Sequence, residues 1–152
     1  MTGGAAAEDN VTLRQRVREE WIDYNGHLSE AYYVLIFGYA TDALMERVGL
    51  DTAYRQRTGC SLYTVEGHVR YLNEVACGTE VEVVTRVLDV GSKKLRLCHE
   101  MWRGGTLAAT EELMALHVDQ AQGAAVGFDT ATAERLSAMV AELPEYAGRS
   151  IG

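Results

Sequence analysis

Hydrophobic and polar positions change their period twice along the chain. Val11, Leu13 and, further on, Val17 alternate in part with charged neighbours, which predicts a first strand over 11–21. Asp23-Tyr24-Asn25-Gly26 then has the composition of a turn. From Ser29 the spacing becomes helical. Ala31, Leu35, Tyr39, Ala43 and Val48 fall on or near one stripe, with Tyr32, Ile36 and Leu44 beside it. Ser29 suits an N-cap and Gly49 a C-cap, so the helix should run for about 20 residues. Between Tyr33 and Phe37 it is apolar around most of its girth, and it is expected to be enclosed on several sides.

Beyond the helix the period drops to two. Residues 61–73 place Tyr63, Val65, Gly67, Val69 and Tyr71 opposite Thr64, Glu66, His68 and Arg70. Residues 79–90, 94–103 and 106–119 continue as strands, and Gly104-Gly105 marks a hairpin between the last two. Residues 129–143 read as a short amphipathic helix stopped by Pro144. This order predicts an α+β fold, with an antiparallel sheet of about five strands curled around one long central helix. An edge strand would still need covering, so pairing of edges in a dimer is expected. With no Pro- or Ser-rich linker the chain reads as one domain over 11–145. A disordered segment over 1–10 should precede it and a tail over 146–152 follow it.

Composition narrows the function. The 152 residues carry 14 Lys+Arg against 22 Asp+Glu, a net charge of −8, which disfavours nucleic acid as a partner. The first ten residues lack the basic and apolar regions of a signal peptide. The longest apolar stretch, 31–40, is too short to span a bilayer, so no membrane partner is expected. Three widely spaced cysteines (Cys60, Cys77, Cys98) offer neither a disulfide framework nor a zinc motif and read as core-compatible thiols in a reducing cytoplasm. His68, His99 and His117 stand singly on strands, so no metal site is expected. There is no G-x-S-x-G elbow, no P-loop and no G-x-G-x-x-G.

The most informative run is Trp21-Ile22-Asp23-Tyr24-Asn25-Gly26-His27-Leu28-Ser29-Glu30. It puts a carboxylate in a tight turn just before a helix N-terminus, whose unpaired N–H groups suit a developing oxyanion. Asp23 could equally do no more than cap the turn. The run resembles the hot-dog fold acyl-CoA thioesterases, specifically the 4-hydroxybenzoyl-CoA thioesterase-like group. Asp23, Gly26, His27 and Tyr32 or Tyr33 match its pattern, and the likeness continues through Val69-x-Tyr71 and Gly78-Thr79-Glu80-Val81. The wording around Trp21 to Glu30 and Tyr63-Thr64-Val65-Glu66 is most similar to thioesterases of carnitine breakdown that act on betainyl-CoA.

That resemblance implies a cofactor-independent hydrolase of acyl-CoA, with Asp23 as nucleophile or general base. It implies that amides around Gly26, His27, Leu28, Ser29 and Glu30 polarise the carbonyl, in a homodimer or homotetramer with the site at the dimer interface. Glu30 departs from the group's usual residue; its charge either favours the helix start or holds a cationic substrate. Glu66 is either a second catalytic or cation-holding carboxylate or a partner for Arg70. Trp21, Tyr24, Asn25 and Tyr63 are the candidate acyl contacts, aromatics being suited to a quaternary ammonium. Lys93, Lys94, Arg96 and Arg103 are the candidate CoA-phosphate contacts, or else a solvated hairpin end. Two rivals stand beside the hydrolase: a hot-dog enoyl-CoA hydratase or dehydratase, and a non-catalytic acyl-CoA-binding module.

Overall fold

The computed structural model describes residues 10–152. The segment expected to be disordered lies outside the described residues except for Asn10. Strand β1 (Val11–Arg16) leads into a single 3-10 turn (Glu19–Trp21) and the long helix α1 (Glu30–Val48). A short helix α2 (Thr52–Thr58) precedes β2 (Cys60–Tyr71), β3 (Glu80–Val90), β4 (Lys94–Arg103) and β5 (Thr106–Asp119). A two-residue β6 (Ala124–Ala125) and α3 (Thr130–Ala138) follow. The antiparallel sheet has the order β1-β3-β4-β5-β2, with β6 added to β5. Its concave face wraps α1. Among the described residues no helix is long and apolar enough to cross a membrane.

Four details differ from the reading of the sequence. The first strand stops at Arg16 because the chain must turn to bury Trp21, which stacks on Tyr32 at 5.8 Å. Helix α2 carries no apolar stripe and was not expected. Asp51 caps it by accepting from the Tyr54 amide at 2.9 Å, and Gly59 ends it at φ 71°. Helix α3 ends at Ala138, and Val140 bridges Val87 alongside β3 rather than extending the helix to residue 143. The buried stripe of α1 is Tyr33, Ile36, Phe37, Ala40, Leu44 and Val48, whereas Ala31, Leu35 and Tyr39 are exposed. Helix α1 is therefore covered on one side only in the single chain.

Strand β2 holds the most consequential shift. Its register against β5 slips between Thr64 and Glu66, so Val65 forms a bulge. An extra residue inverts the facing of everything before it. Tyr71 and Val69 pair with Ala109 and Glu111 on the helix side, while Glu66 pairs with Met114 on the outer side. Tyr63, before the bulge, pairs with Leu116 and also points outward. The strict alternation predicted Tyr63 and Tyr71 on one face; the bulge separates them.

The core has two clusters, one around Leu44, Val48, Leu95 and Leu97, the other around Trp21, Ile36, Phe37 and Met101. Between them His99 is fully buried and stacked on Phe37. Its Nε2 meets Thr41 Oγ1 at 2.8 Å and its Nδ1 meets Thr85 Oγ1 at 2.7 Å, tying the helix to the sheet. Because Thr41 donates to the Phe37 carbonyl, Nε2 carries the ring proton and Nδ1 accepts from Thr85. Burial pushes its pKa down to about 3. His117 donates from Nδ1 to the Val126 carbonyl, leaving Nε2 for the Tyr54 hydroxyl. Cys60 and Cys98 are buried thiols, but Cys77 is exposed. On the outer face Tyr146 donates to Glu100 at 2.6 Å under the Arg70 guanidinium, and the Gly148 amide donates to Glu112.

Candidate active site

The loop before α1 is a small hairpin closed by a bridge between Ile22 and Leu28. Inside it the Asp23 amide donates to the His27 carbonyl and the Gly26 amide to the Asp23 carbonyl. Gly26 sits at φ 82°, a conformation that needs glycine here. One carboxylate oxygen of Asp23 accepts from the Asn25 amide at 2.8 Å, and the other has no partner among the described residues. His27 Nε2 lies 3.1 Å from a Glu74 carboxylate oxygen and not on Asp23, so the histidine–aspartate pair a hydratase would use is not formed.

Asp23 opens onto a cleft of about 620 Å³ shared with Tyr24, Asn25, Glu30, Tyr33 and Tyr71. The helix start forms one wall. Leu28 and Ser29 border the cleft, but their amides are already committed, donating to the carbonyls of Val75 and Trp21 at 2.8 and 2.9 Å. The next two amides, Glu30 and Ala31, have no acceptor among the described residues. Of the suggested donors, the Gly26, Leu28 and Ser29 amides are thus committed and Glu30 is open, while Ala31 lies one residue beyond the suggested run. Tyr71 braces this corner by donating to the Glu30 carbonyl at 3.1 Å and meeting Tyr33 edge-on at 5.0 Å.

The cleft is anionic. Burial raises the Tyr33 phenol above its usual value, and Glu74 and Asp23 raise it further while Arg103 opposes them. Burial also raises Tyr71, helped by Glu30 and Glu111.

A family model described as the thioesterase-like superfamily matches residues 17–136. The chain belongs to that superfamily. A betainyl-CoA thioesterase of Pseudomonas aeruginosa is 40% identical over 93% of this chain and 94% of its own length. The L-carnitine dehydrogenase/betainyl-CoA thioesterase of Agrobacterium fabrum is 43% identical over 86% of this chain, which spans only 28% of that protein. Among solved structures, a Staphylococcus aureus protein in complex with CoA superposes with a TM-score of 0.88 at 28% identity, covering 94% of each chain. A thioesterase-assigned protein of Pseudomonas putida KT2440 superposes at 0.80 with 43% identity, covering 92% of this chain and 94% of its own. The hot-dog architecture and the class of thioester hydrolases expected from the sequence are thus those of its family.

Within this thioesterase-like fold several expected site residues lie elsewhere. Trp21 is core, and what it contributes is a carbonyl for the Ser29 amide. Glu66 and Tyr63 face outward, and Glu66 borders a separate outer-face hollow with Arg96 and Glu112. Five residues of strand put Glu66 about 17 Å from Tyr71, on the opposite face. The four basic candidates do not cluster. Lys94 opens β4 and Lys93 just precedes it, about 30 Å from Arg103 at the strand's other end. Arg96 is bound to Glu112 at 2.7 Å. Only Arg103, through its effect on Tyr33, belongs to the cleft side.

Tyr71, Asn73 and Glu74, by contrast, line the cleft without having been singled out for it. Asn73 is pinned there by donating to the Leu107 carbonyl at 2.8 Å. The Val69-x-Tyr71 match was the available signal, but strand spacing alone did not say that this end of β2 reaches the helix start.

Proposed function

We propose that this chain hydrolyses acyl-CoA thioesters to free acid and CoA, with the short cationic acyl group of betainyl-CoA as its substrate. What carries the reading is one cleft lined by Asp23, with its partnerless oxygen, and by Glu30, which together with the adjacent Ala31 supplies the open amides of the helix start. A thioester carbonyl set against those amides would have its developing oxyanion held by fixed dipoles. Asp23 then acts in one of two balanced ways. As nucleophile, its oxygen bonds the carbonyl carbon, the C–S bond breaks to release the CoA thiolate, and water hydrolyses the acyl-aspartyl anhydride. As general base, it takes a proton from water as water's oxygen attacks the same carbon.

The substrate assignment draws on the names of the relatives and on the charge of the cleft, where Asp23, Glu30 and Glu74 outnumber Arg103. Arg103 is the proposed CoA-phosphate contact. No further cofactor enters the scheme.

The working unit we propose is a dimer formed in the cytoplasm by pairing β2 edges. Val34, Leu35 and Tyr39 on α1, Val65 and Tyr71 on β2 and Leu72 just past its end are exposed apolar residues, and Tyr71 and Leu72 also line the cleft. A second copy covering them would close the site.

The test is thiol release from a panel of acyl-CoAs that includes betainyl-CoA. Turnover of betainyl-CoA above acetyl- and benzoyl-CoA supports the reading. Absence of thiol release from every member of the panel overturns it.

A further inference from the structure

Glu111 is a carboxylate without a visible reason to be where it is. The register places it on β5 directly between Val69 on β2 and His99 on β4. It shares the helix-facing side with Ala109, Leu113 and Ala115, and it is only 7% exposed. Among the described residues it has no hydrogen bond and no ion pair. Its oxygens are not sealed, since no fully buried side-chain oxygen lacks a partner.

An unpaired buried carboxylate is costly unless it is protonated or met by a cation. His99 cannot be that cation, because both ring nitrogens are bonded to threonines and burial keeps the ring neutral. Through Tyr71, its diagonal neighbour on β2, Glu111 is linked electrostatically to the cleft wall. Tyr71 in turn meets Tyr33 edge-on. Two aromatic rings with a buried negative charge behind them suit a quaternary ammonium, which donates no hydrogen bonds and is held by field and π-faces. Glu66, the carboxylate the sequence suggested for this task, is on the wrong face of the sheet.

We propose that Glu111 is the counter-charge that makes this cleft select acyl groups bearing a quaternary ammonium, seated against Tyr33 and Tyr71. The proposal rests on the hydrolase reading above and assigns the specificity of the same site.

The experiment compares betainyl-CoA with 3,3-dimethylbutanoyl-CoA, which has the same shape with carbon in place of nitrogen, in wild type and in Glu111→Gln. The preference for betainyl-CoA, as a ratio of kcat/KM values, should fall by about 10- to 100-fold in the variant, which corresponds to about 1.4–2.8 kcal/mol. Glu111→Asp should restore much of it. In wild type the preference should rise with pH through about 7, where burial has placed the Glu111 carboxyl, and the variant should show no such rise. The titratable groups about Glu111 are His99, its partner on β4, and Tyr71, its diagonal neighbour on β2, with Tyr33 of α1 edge-on to Tyr71. His99 and the two phenols are shifted away from that range. Equal loss of both substrates in a variant that keeps its melting temperature overturns the proposal while leaving the hydrolase reading intact. Failure of wild type to cleave either thioester overturns both.

Discussion

The Asn25 amide donates to Oδ1 of Asp23 at 2.8 Å, so one oxygen of this carboxylate holds its own turn while the other is left for chemistry. The division has a testable consequence. In Asp23→Asn the amide oxygen can still accept from Asn25, so the turn and the melting temperature should be preserved. The base or nucleophile is lost, and kcat should fall by about 10²–10⁴-fold. Thiol-release kinetics together with a thermal melt check both halves. A variant with wild-type turnover would remove Asp23 from the mechanism.

Gly26 adopts φ 82°, and a Cβ built there meets nothing within 4 Å. Gly26→Ala should therefore cost only the backbone penalty, about 1–2 kcal/mol. Gly26→Asn should cost less, because asparagine tolerates this region. Urea denaturation of the two variants distinguishes this from a packing effect, which would make the larger residue worse.

The two buried titratable groups on β4 and β5 pull stability in opposite directions with pH. His99 is depressed to about 3, so between about 6.5 and 3 the unfolded chain binds the extra proton and stability falls as pH falls. Glu111 is raised to about 7, so its contribution is full below about 4.5 and is lost as pH rises through about 7. Each contributes a slope near 1.4 kcal/mol per pH unit at most, and the two offset one another between about 4.5 and 6.5. Glu111→Gln should uncover the His99 slope, making acid unfolding steeper, and should be more stable than wild type at pH 8. Unfolding free energies measured from pH 4 to 8 decide it. Parallel profiles for the two proteins would contradict the assignment.

The open side of α1 predicts assembly. Leu35→Glu combined with Tyr39→Glu places charge on the exposed apolar face without touching the buried stripe. Sedimentation should show wild type at twice the chain mass and the variant at the single-chain mass. Thiol release should fall in step with dissociation.

Much of this was legible in one dimension. Period-two and helical spacing, together with Gly49 and Gly104-Gly105, located the long helix and the four long strands, because patterning reports which face each residue needs to bury. Asp23 and the helix start were legible for a similar reason. The Asp-x-x-Gly-His run is a local turn whose geometry depends on its own residues.

Pairing was not legible. The bulge at Val65 belongs to the register between β2 and β5, and that slip moved Tyr63 off the site's face of the sheet, while Glu66 lies on the opposite face from Tyr71 in either reading. Which helix-start amides stay open depended on carbonyls of Trp21 and Val75, supplied by the chain before and after the helix. Glu111 looked like one more acid in an alternating strand. Only the assembly of β2, β4 and α1 around it turned its charge into a buried one, because desolvation is a property of the surroundings and not of the residue.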